Sequence, residues 1–342
     1  MKTASFRLLR RSETAIALIL ILAMLVIGFI NPAFWQLDNL FSLLRSNIIL
    51  GIMALGVLLV MISGGIDVSF PAFAVAGMYL TIKSMSDPNF IIYIGDVPVF
   101  VAFALSAGIG LICGAANAFV IHTFKAIPLI VTLGMASVVR GLLLGIVGTS
   151  IVNIGEMPKS LMNFASANML TLTKADGTTS SLTAMVLIYA LLAVVIHCVL
   201  KYTMMGRSVY ALGGDGEAAK RVGFNTRRTT YFIYCTAGAL AGFAGLLYAA
   251  MNWQADPRVF GGYDMQVIAA VVLGGASIFG GYGSVLGTVL GVFMFVMVQN
   301  SLIIMGIPTT WQRVVIGVIV LLAAAISAWR DYKSRAGIGR LS

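Results

Sequence analysis

Charged and polar side chains are concentrated in one segment of this chain, residues 201–229, which is long, polar and basic between two apolar stretches. Residue types that often act in catalysis or metal binding are isolated within or beside apolar runs: Cys113, Cys198, Cys235, His122 and His197. No group of His, Cys, Asp and Glu has catalytic or metal-ligand spacing, and no Gly-Lys pair occurs, so a phosphate-binding loop of the Gly-x-x-x-x-Gly-Lys-Ser/Thr type is absent. The chemistry that residues 201–229 can perform is therefore recognition of another surface.

The centre of this segment predicts a short helix. Asp215 can cap its first turn, and Glu217 places negative charge where the helix dipole favours it. Lys220 and Arg221 lie at the opposite end, and Gly223 can adopt the left-handed conformation that stops a helix. A helix of fewer than two turns is not stable alone in water, so the rest of this protein or a partner surface must hold it.

The side chains of this helix predict how it would meet a partner. Ala218, Ala219 and Val222 are expected on one side, where they are small enough to enter a groove. Glu217 and Arg221, four positions apart, are expected to support each other and the rim of that groove. Recognition would then depend on a small apolar face with a charged border.

The composition places the chain in a membrane. Of 342 residues, 60% are hydrophobic and only 10% charged, with a mean hydropathy of +1.00, whereas soluble domains are about 25% charged. Ten apolar runs predict an all-α, polytopic membrane protein of about ten transmembrane helices, forming one domain over residues 1–342. The runs are 15–30, 48–62, 70–82, 99–121, 127–148, 183–200, 231–251, 265–279, 285–304 and 314–329. The runs 70–82 and 265–279 are shorter than the roughly 20 residues of a straight span, which allows them to be broken or re-entrant.

The distribution of Lys and Arg supports ten spans with both termini in the cytoplasm. In that topology fifteen basic residues lie inside and six outside, as expected of cytoplasmic loops. The apolar run after the first arginines is read as a retained span, because no small-residue cleavage site follows it. The net charge of +10 then reflects topology and contact with anionic lipid. The spread of basic residues over separate loops argues against nucleic acid as a partner.

Glycine pairs mark two similar segments. Gly64-Gly65 and Gly280-Gly281 each separate two apolar runs on the same predicted side of the membrane. This favours an internal repeat in which spans 2–5 correspond to spans 7–10. The alternative is that each pair only allows a tight connection between helices.

The chain resembles the membrane permeases of binding-protein-dependent ABC importers. Glu217-Ala218-Ala219, three residues, Gly223, nine residues and Ile233 are similar to the cytoplasmic signature of that family, with Cys235-Thr236 in place of its usual Leu-Pro. Further segments are similar to its carbohydrate branch, the ribose, xylose, galactose and rhamnose permeases and the autoinducer-2 permeases: 64–69, 127–134, 206–214, 271–275 and 280–284. The resemblance covers about residues 39–329.

The resemblance implies a transporter subunit in a bacterial inner membrane, not an enzyme. ATP and Mg would be bound by a separate ATPase subunit, and this chain would hold no cofactor. A soluble sugar-binding protein would deliver a small sugar or sugar-like solute, and a second copy of the permease or a homologous permease would complete the pore. The cytoplasmic coupling loop would be residues 201–229, with these residues contacting the ATPase: Gly213, Asp215, Glu217, Ala218, Ala219, Arg221 and Gly223.

A sugar that crosses apolar spans needs polar partners, because unpaired polar groups in hydrocarbon cost several kcal/mol each. The candidates for the translocation path are the polar side chains in or near spans: Asn47, Asn117, Arg140, Gln299 and Asn300. The amides could instead bond between helices. Arg140 could instead extend to the membrane interface or pair with Glu156.

Two other groups of polar residues have alternative roles. Asp67 is expected to cap a helix that begins near Ser69, and ion coupling is the alternative. On the outside, Asp256 and Arg258 in the loop 252–263, together with residues 149–182, are expected to dock the sugar-binding protein through complementary charge.

Two other classes of function remain open at this stage. An ion-gradient-driven secondary transporter would explain glycine-interrupted spans and Asp67, but it leaves the helix from Glu217 to Gly223 without a purpose. A non-conducting assembly subunit is the other alternative.

Overall fold

A computed structural model describes residues 12–173 and 179–308, together with residues 310–312, 314–315, 317–318, 321 and 325. Within the described residues the chain forms twelve α-helices and one β-hairpin. The helices are α1 (Ser12–Ile30), α2 (Leu37–Ile62), α3 (Phe70–Ser86), α4 (Val99–Phe124), α5 (Pro128–Leu142), α6 (Lys159–Ala165), α7 (Met185–Tyr202), α8 (Met204–Gly214), α9 (Gly216–Arg221), α10 (Thr226–Asn252), α11 (Tyr263–Leu273) and α12 (Val285–Ile304). The strands are β1 (Asn168–Thr173) and β2 (Thr179–Thr183).

Six helical segments of the described chain are long and apolar enough to cross a membrane. They are α2, α4, α5 with the π-helical turn that follows it, α7, α10 and α12. α3, with 17 residues, and the apolar part of α1 are shorter. The apolar run 265–279 is interrupted, because α11 ends at Leu273 and a turn follows. A polytopic membrane protein is thus consistent with the structure; the run 314–329 lies largely outside the described residues, and ten spans with cytoplasmic termini stay a prediction.

α2 lies at the centre of the bundle. Every residue from 47 to 62 is buried, and α2 packs against α10, α12, α11 and α7. A helix that is apolar on all sides is typical of the core of a large protein or of a membrane span, and the burial of residues 47–62 shows that neighbouring helices surround this part of α2. Because α2 is central, its last residue, Ile62, lies close to several other helices of the bundle.

α10 packs against α4 and α3 at close range through spaced glycines. A methyl group built on Gly238 would lie 2.1 Å from the carbonyl oxygen of Gly110, and one on Gly242 would lie 2.2 Å from that of Ser106. The Ser106 hydroxyl donates to the Gly242 carbonyl at 2.7 Å. Small residues allow this close approach of two helix backbones.

The connection between α6 and α7 departs from the all-helical prediction. β1 and β2 pair antiparallel there. Their sequences are rich in Thr and Leu and lack a helical apolar period, which favours strands over a helix. Ser180 of β2 donates a hydrogen bond to Asp38 at the start of α2, so the hairpin is held against that end of the bundle.

Candidate coupling site

Residues 201–229 fold into two consecutive helices that lead into α10. Thr203 caps α8 by accepting a hydrogen bond from the Gly206 amide at 3.1 Å, and Asn225 caps α10 by accepting one from the Arg228 amide at 2.9 Å. The sequence predicted only the short helix α9. α8 was missed, although Thr203 is a recognisable cap, because glycines at its far end resemble a loop.

The predicted ends of α9 are confirmed. The Asp215 carboxylate accepts hydrogen bonds from the amides of Glu217 and Ala218, both at 3.0 Å. At the other end Gly223 has a φ of +94°, and its amide donates to the Lys220 carbonyl at 3.1 Å. The Phe224 amide donates to the carbonyl of Ala219 at 3.1 Å. These two bonds form a Schellman motif, so both ends of this six-residue helix are closed.

The predicted apolar face of α9 is wrong at one position. Ala219 is buried, with 4% of its surface exposed, whereas Ala218 is exposed. Successive residues of a helix differ by about 100°, so neighbouring alanines face different directions. α9 packs on α8 and on the start of α10, and the small side chain of Ala219 allows that contact. Val222 remains on the outer surface with 75% exposed.

The predicted pairing of Glu217 with Arg221 is also wrong. Both side chains are exposed, and no ion pair forms between these two described residues. An exposed pair gains little Coulomb energy and loses side-chain entropy, which explains why they stay apart. The outer surface of α9 thus exposes Ala218 and Val222, together with charged side chains such as Glu217 and Arg221 that do not pair with each other.

Gly213 at the end of α8 lies against the connections that follow α2 and precede α12. A methyl group built on Gly213 would lie 1.8 Å from the Ile62 carbonyl oxygen and 2.8 Å from the Gly281 nitrogen. The Gly281 amide also donates to the Ile62 carbonyl at 2.8 Å. Gly64 and Gly280 have φ values of +82° and +90°. A residue with a side chain would be strained in this backbone conformation. We call this contact of residues 62–65, Gly213 and residues 279–283 the glycine junction.

The two Gly-Gly segments noted in the sequence therefore lie together, and each also allows a tight connection. The relation of spans 2–5 to spans 7–10 stays a prediction.

A second contact joins α8 to the same region. The Tyr210 hydroxyl donates to the Gly283 carbonyl at 2.7 Å. Burial and the neighbouring Glu13 carboxylate raise the pKa of Tyr210 above its ordinary value, which further disfavours ionisation of this hydroxyl. Ser284 caps α12 by accepting from the Gly287 amide at 3.0 Å and donates to Glu13 of α1 at 2.6 Å. Sequence reasoning missed Tyr210, and no local signal identifies its partner.

The amides proposed for a translocation path form separate contacts. Asn117, fully buried, donates to the Ser69 hydroxyl at 2.8 Å, and its own oxygen has no partner among the described atoms. Gln299 donates to Gln266 at 3.4 Å, and Asn300 donates to Asn39. These contacts favour the alternative role of bonding between elements.

Asn47 is buried and donates to the Leu43 carbonyl of its own helix at 2.7 Å. Arg140 is half-buried at the end of α5, and it forms no ion pair with Glu156 in the described structure. None of the five candidates forms a hydrogen bond with another of the five among the described contacts. A shared path lined by them stays a prediction.

Asp67 is buried at the start of α3. Its carboxylate accepts from the amide and the hydroxyl of Ser69 at 2.7 and 2.5 Å. Ser69 is itself the N-cap residue and no side-chain cap hydrogen bond forms, so Asp67 closes a turn before α3 in place of the predicted cap. Because Ser69 also accepts from Asn117, a chain of hydrogen bonds fixes the start of α3 to α4.

The two segments proposed for docking outside the membrane are in contact. Val152 and Ala255 form a β-bridge between them. Asp256 is half-buried and accepts from the Arg258 amide at 2.8 Å, whereas the Arg258 side chain is exposed. Arg45 of α2 donates to the Met251 carbonyl near the end of α10 at 2.6 Å. The loop is thus anchored beside the bundle, and Arg258 is available to a partner.

Comparison with known proteins identifies the chain's family. Residues 39–324 match the model of the branched-chain amino acid transport system / permease component family. A probable ABC transporter permease protein of Sinorhizobium fredii is 34% identical over 96% of this chain and 92% of its own. The autoinducer 2 import system permease protein of Photorhabdus temperata is 30% identical, over 91% and 89%. The ribose import permease protein of Escherichia coli K12 is 29% identical, over 93% and 94%.

No solved structure matches this chain. The family match and the first relative each span most of the sequence, including the capped helix α9 and the glycine junction. The chain therefore belongs to the branched-chain amino acid transport system / permease component family, among the permease subunits of ABC importers.

Proposed function

We propose that this chain is the membrane-spanning subunit of an ABC importer that carries a small sugar or sugar-like solute across a bacterial inner membrane into the cytoplasm. The observation that carries the proposal is α9, a six-residue helix closed at both ends in a chain of this family. Relatives named for autoinducer 2 and ribose support the substrate class. The solute would be small and rich in hydroxyl groups.

α9 is proposed as the coupling helix on which a separate ATPase subunit acts. Val222 and Ala218 form a small exposed apolar surface that suits a groove. The charges of Glu217, Lys220 and Arg221 around it suit a polar rim. The ATPase subunit would hold ATP and Mg, and closure of that subunit on ATP would push on α9 and α8.

A second permease copy, or a homologous permease, is the proposed partner within the membrane. The candidate span 128–147 has only 11% of its apolar window buried within this chain, against 83% for α2. Gly134, Gly141 and Gly145 on this span have nothing within 4 Å of a built methyl group. A helix with small residues facing outward can accept close packing by another helix.

The solute-binding partner is proposed to contact the opposite side of the membrane. The loop around Arg258 and the segment that ends at the β-hairpin are polar and joined by the bridge at Val152. A soluble sugar-binding protein could dock there and release the solute above the bundle.

The test is uptake into proteoliposomes that hold this chain with its ATPase subunit, with the soluble binding protein outside. Labelled ribose, galactose and autoinducer 2 are the probes, and vesicles without internal ATP are the control. We expect one probe to accumulate only with internal ATP. Accumulation that requires a proton or sodium gradient and does not depend on internal ATP would identify a secondary transporter. Assembly with the ATPase but no ATP-dependent uptake of any probe, by a complex whose ATPase is active, would contradict this substrate class.

A further inference from the structure

We propose that the glycine junction is the joint through which α9 moves the bundle, with Gly213 as the positioning residue that transmits displacement of α8 to the connections after α2 and before α12. This proposal rests on the coupling role proposed for α9. It assigns Gly213 to transmission within this chain and not to contact with the ATPase.

At the glycine junction the backbones of the three segments are in direct contact, with no side chain between Gly213 and its nearest neighbours. The nearest atoms to a methyl group built on Gly213 are all backbone atoms of Ile62 and Gly281. A methyl group on Gly280 would lie 2.6 Å from the Gly213 carbonyl oxygen and 2.8 Å from the Gly64 nitrogen. Backbones in direct contact cannot absorb a displacement by changing side-chain rotamers, so they move together.

Gly213 also lies directly between the proposed input and these contacts. The next residues after it are Gly214 and Asp215, and Asp215 is the cap that begins α9. A displacement of α9 therefore reaches Gly213 through two peptide units. The Tyr210 hydrogen bond to Gly283 joins the same helix to the same connection one turn earlier.

Each connection at the junction leads into an element that is fixed to other helices. The one after Ile62 continues to Asp67, which accepts a hydrogen bond from Ser69, and Ser69 accepts one from Asn117 of α4. The one at Gly283 continues to the Ser284 cap of α12. Movement at the glycine junction would therefore reach the starts of α3 and α12.

Two adjacent glycines provide a matched pair of variants. Gly213→Ala places a methyl group against the Ile62 carbonyl oxygen, whereas Gly214→Ala meets nothing within 4 Å. Both variants add one methyl group to α8, and neither changes the exposed surface of α9. Tyr210→Phe is a milder variant, because it removes only the hydrogen bond to Gly283.

The experiment is hydrogen–deuterium exchange on the complex of the full chain with its ATPase subunit, purified through a tag on this chain, with and without ATP and vanadate. For the wild type and Gly214→Ala, nucleotide is expected to change exchange rates in residues 62–69 and 277–284 by about threefold or more. For Gly213→Ala, protection of residues 216–222 by the ATPase should remain, while that nucleotide response is lost. If Gly213→Ala does not assemble, Tyr210→Phe should lose the response in residues 277–284 and keep it in 62–69.

Different failures identify different errors. The proposed joint is wrong if Gly213→Ala shows a normal nucleotide response. Where Gly213→Ala does not assemble, a normal response in Tyr210→Phe has the same meaning. The joint is also wrong if Gly214→Ala loses the nucleotide response as fully as Gly213→Ala does. A wild-type complex that binds the ATPase through residues 216–222 yet shows no response at 62–69 and 277–284 also overturns it, and leaves the proposed function intact. If wild-type residues 216–222 are not protected by the ATPase, the coupling role of α9 fails first and the joint with it.

Discussion

Ala219 and Val222 are three positions apart at the end of α9, and they face opposite environments: Ala219 is 4% exposed and Val222 is 75% exposed. The first holds α9 against α8 and α10, and the second is left for contact outside this chain. This division separates residues that hold the helix in place from residues that can recognise a partner.

Val222→Asp should weaken binding of the ATPase subunit by about tenfold or more, because a charge would replace an apolar side chain that the proposed groove buries. Val222→Thr has a similar shape and should bind more tightly than Val222→Asp. The measurement is affinity of the detergent-purified chain for the ATPase subunit by surface plasmon resonance. Equal affinities for the wild type and Val222→Asp would place the contact elsewhere.

Ala219→Leu should loosen α9 from the rest of the chain, because extra methyl and methylene groups in a packed contact cost about 1–3 kcal/mol. Ala218→Leu is the matched control, since Ala218 is exposed. Limited trypsin digestion reports the difference, because cleavage after Lys220 and Arg221 requires local opening. Ala219→Leu should be cut faster than the wild type and Ala218→Leu should not; equal rates for the two variants would mean that Ala219 does not hold the helix.

Asp215→Ala should remove the cap of α9 at a cost of about 1 kcal/mol, equivalent to roughly fivefold faster exchange of the amides of Glu217 and Ala218. Asp215→Ser retains an acceptor and should restore most of the protection. Hydrogen–deuterium exchange of the purified chain measures both variants. Protection that survives in Asp215→Ala would show that another contact fixes the first turn.

The sequence predicts α9 well and its surroundings poorly, for physical reasons. Its ends depend on Asp215 and Gly223, whose capping interactions are local and can be read within a few residues. The burial of Ala219 depends on α8, and α8 was missed because Gly213 and Gly214 resemble a loop. The packing of Gly213 against Ile62 and Gly281 joins residues far apart in the chain, which no local pattern can indicate.

At the proposed docking loop, Arg258→Glu should slow association of the soluble binding protein, because the reversed charge would no longer complement the charge on that partner. The effect should be about tenfold at low salt and smaller at physiological salt, where screening is stronger. Arg258 is preferred to Asp256 because the Asp256 carboxylate accepts from the Arg258 amide, so its replacement would also alter the loop. Stopped-flow association rates for the wild type, Arg258→Gln and Arg258→Glu check this, with Arg258→Gln intermediate. Rates that do not differ at any salt concentration would place the docking surface elsewhere.

The most direct measurement for the whole account is ATP hydrolysis by the tagged chain, purified from its native membrane with and without stripping of associated subunits. We expect the unstripped preparation to contain an ATPase subunit and to hydrolyse ATP. We expect the stripped chain to hydrolyse no more ATP than a mock preparation, because the sequence contains no Gly-Lys pair for a phosphate-binding loop. Hydrolysis by the stripped chain, or a native preparation without any ATPase subunit, would contradict the account.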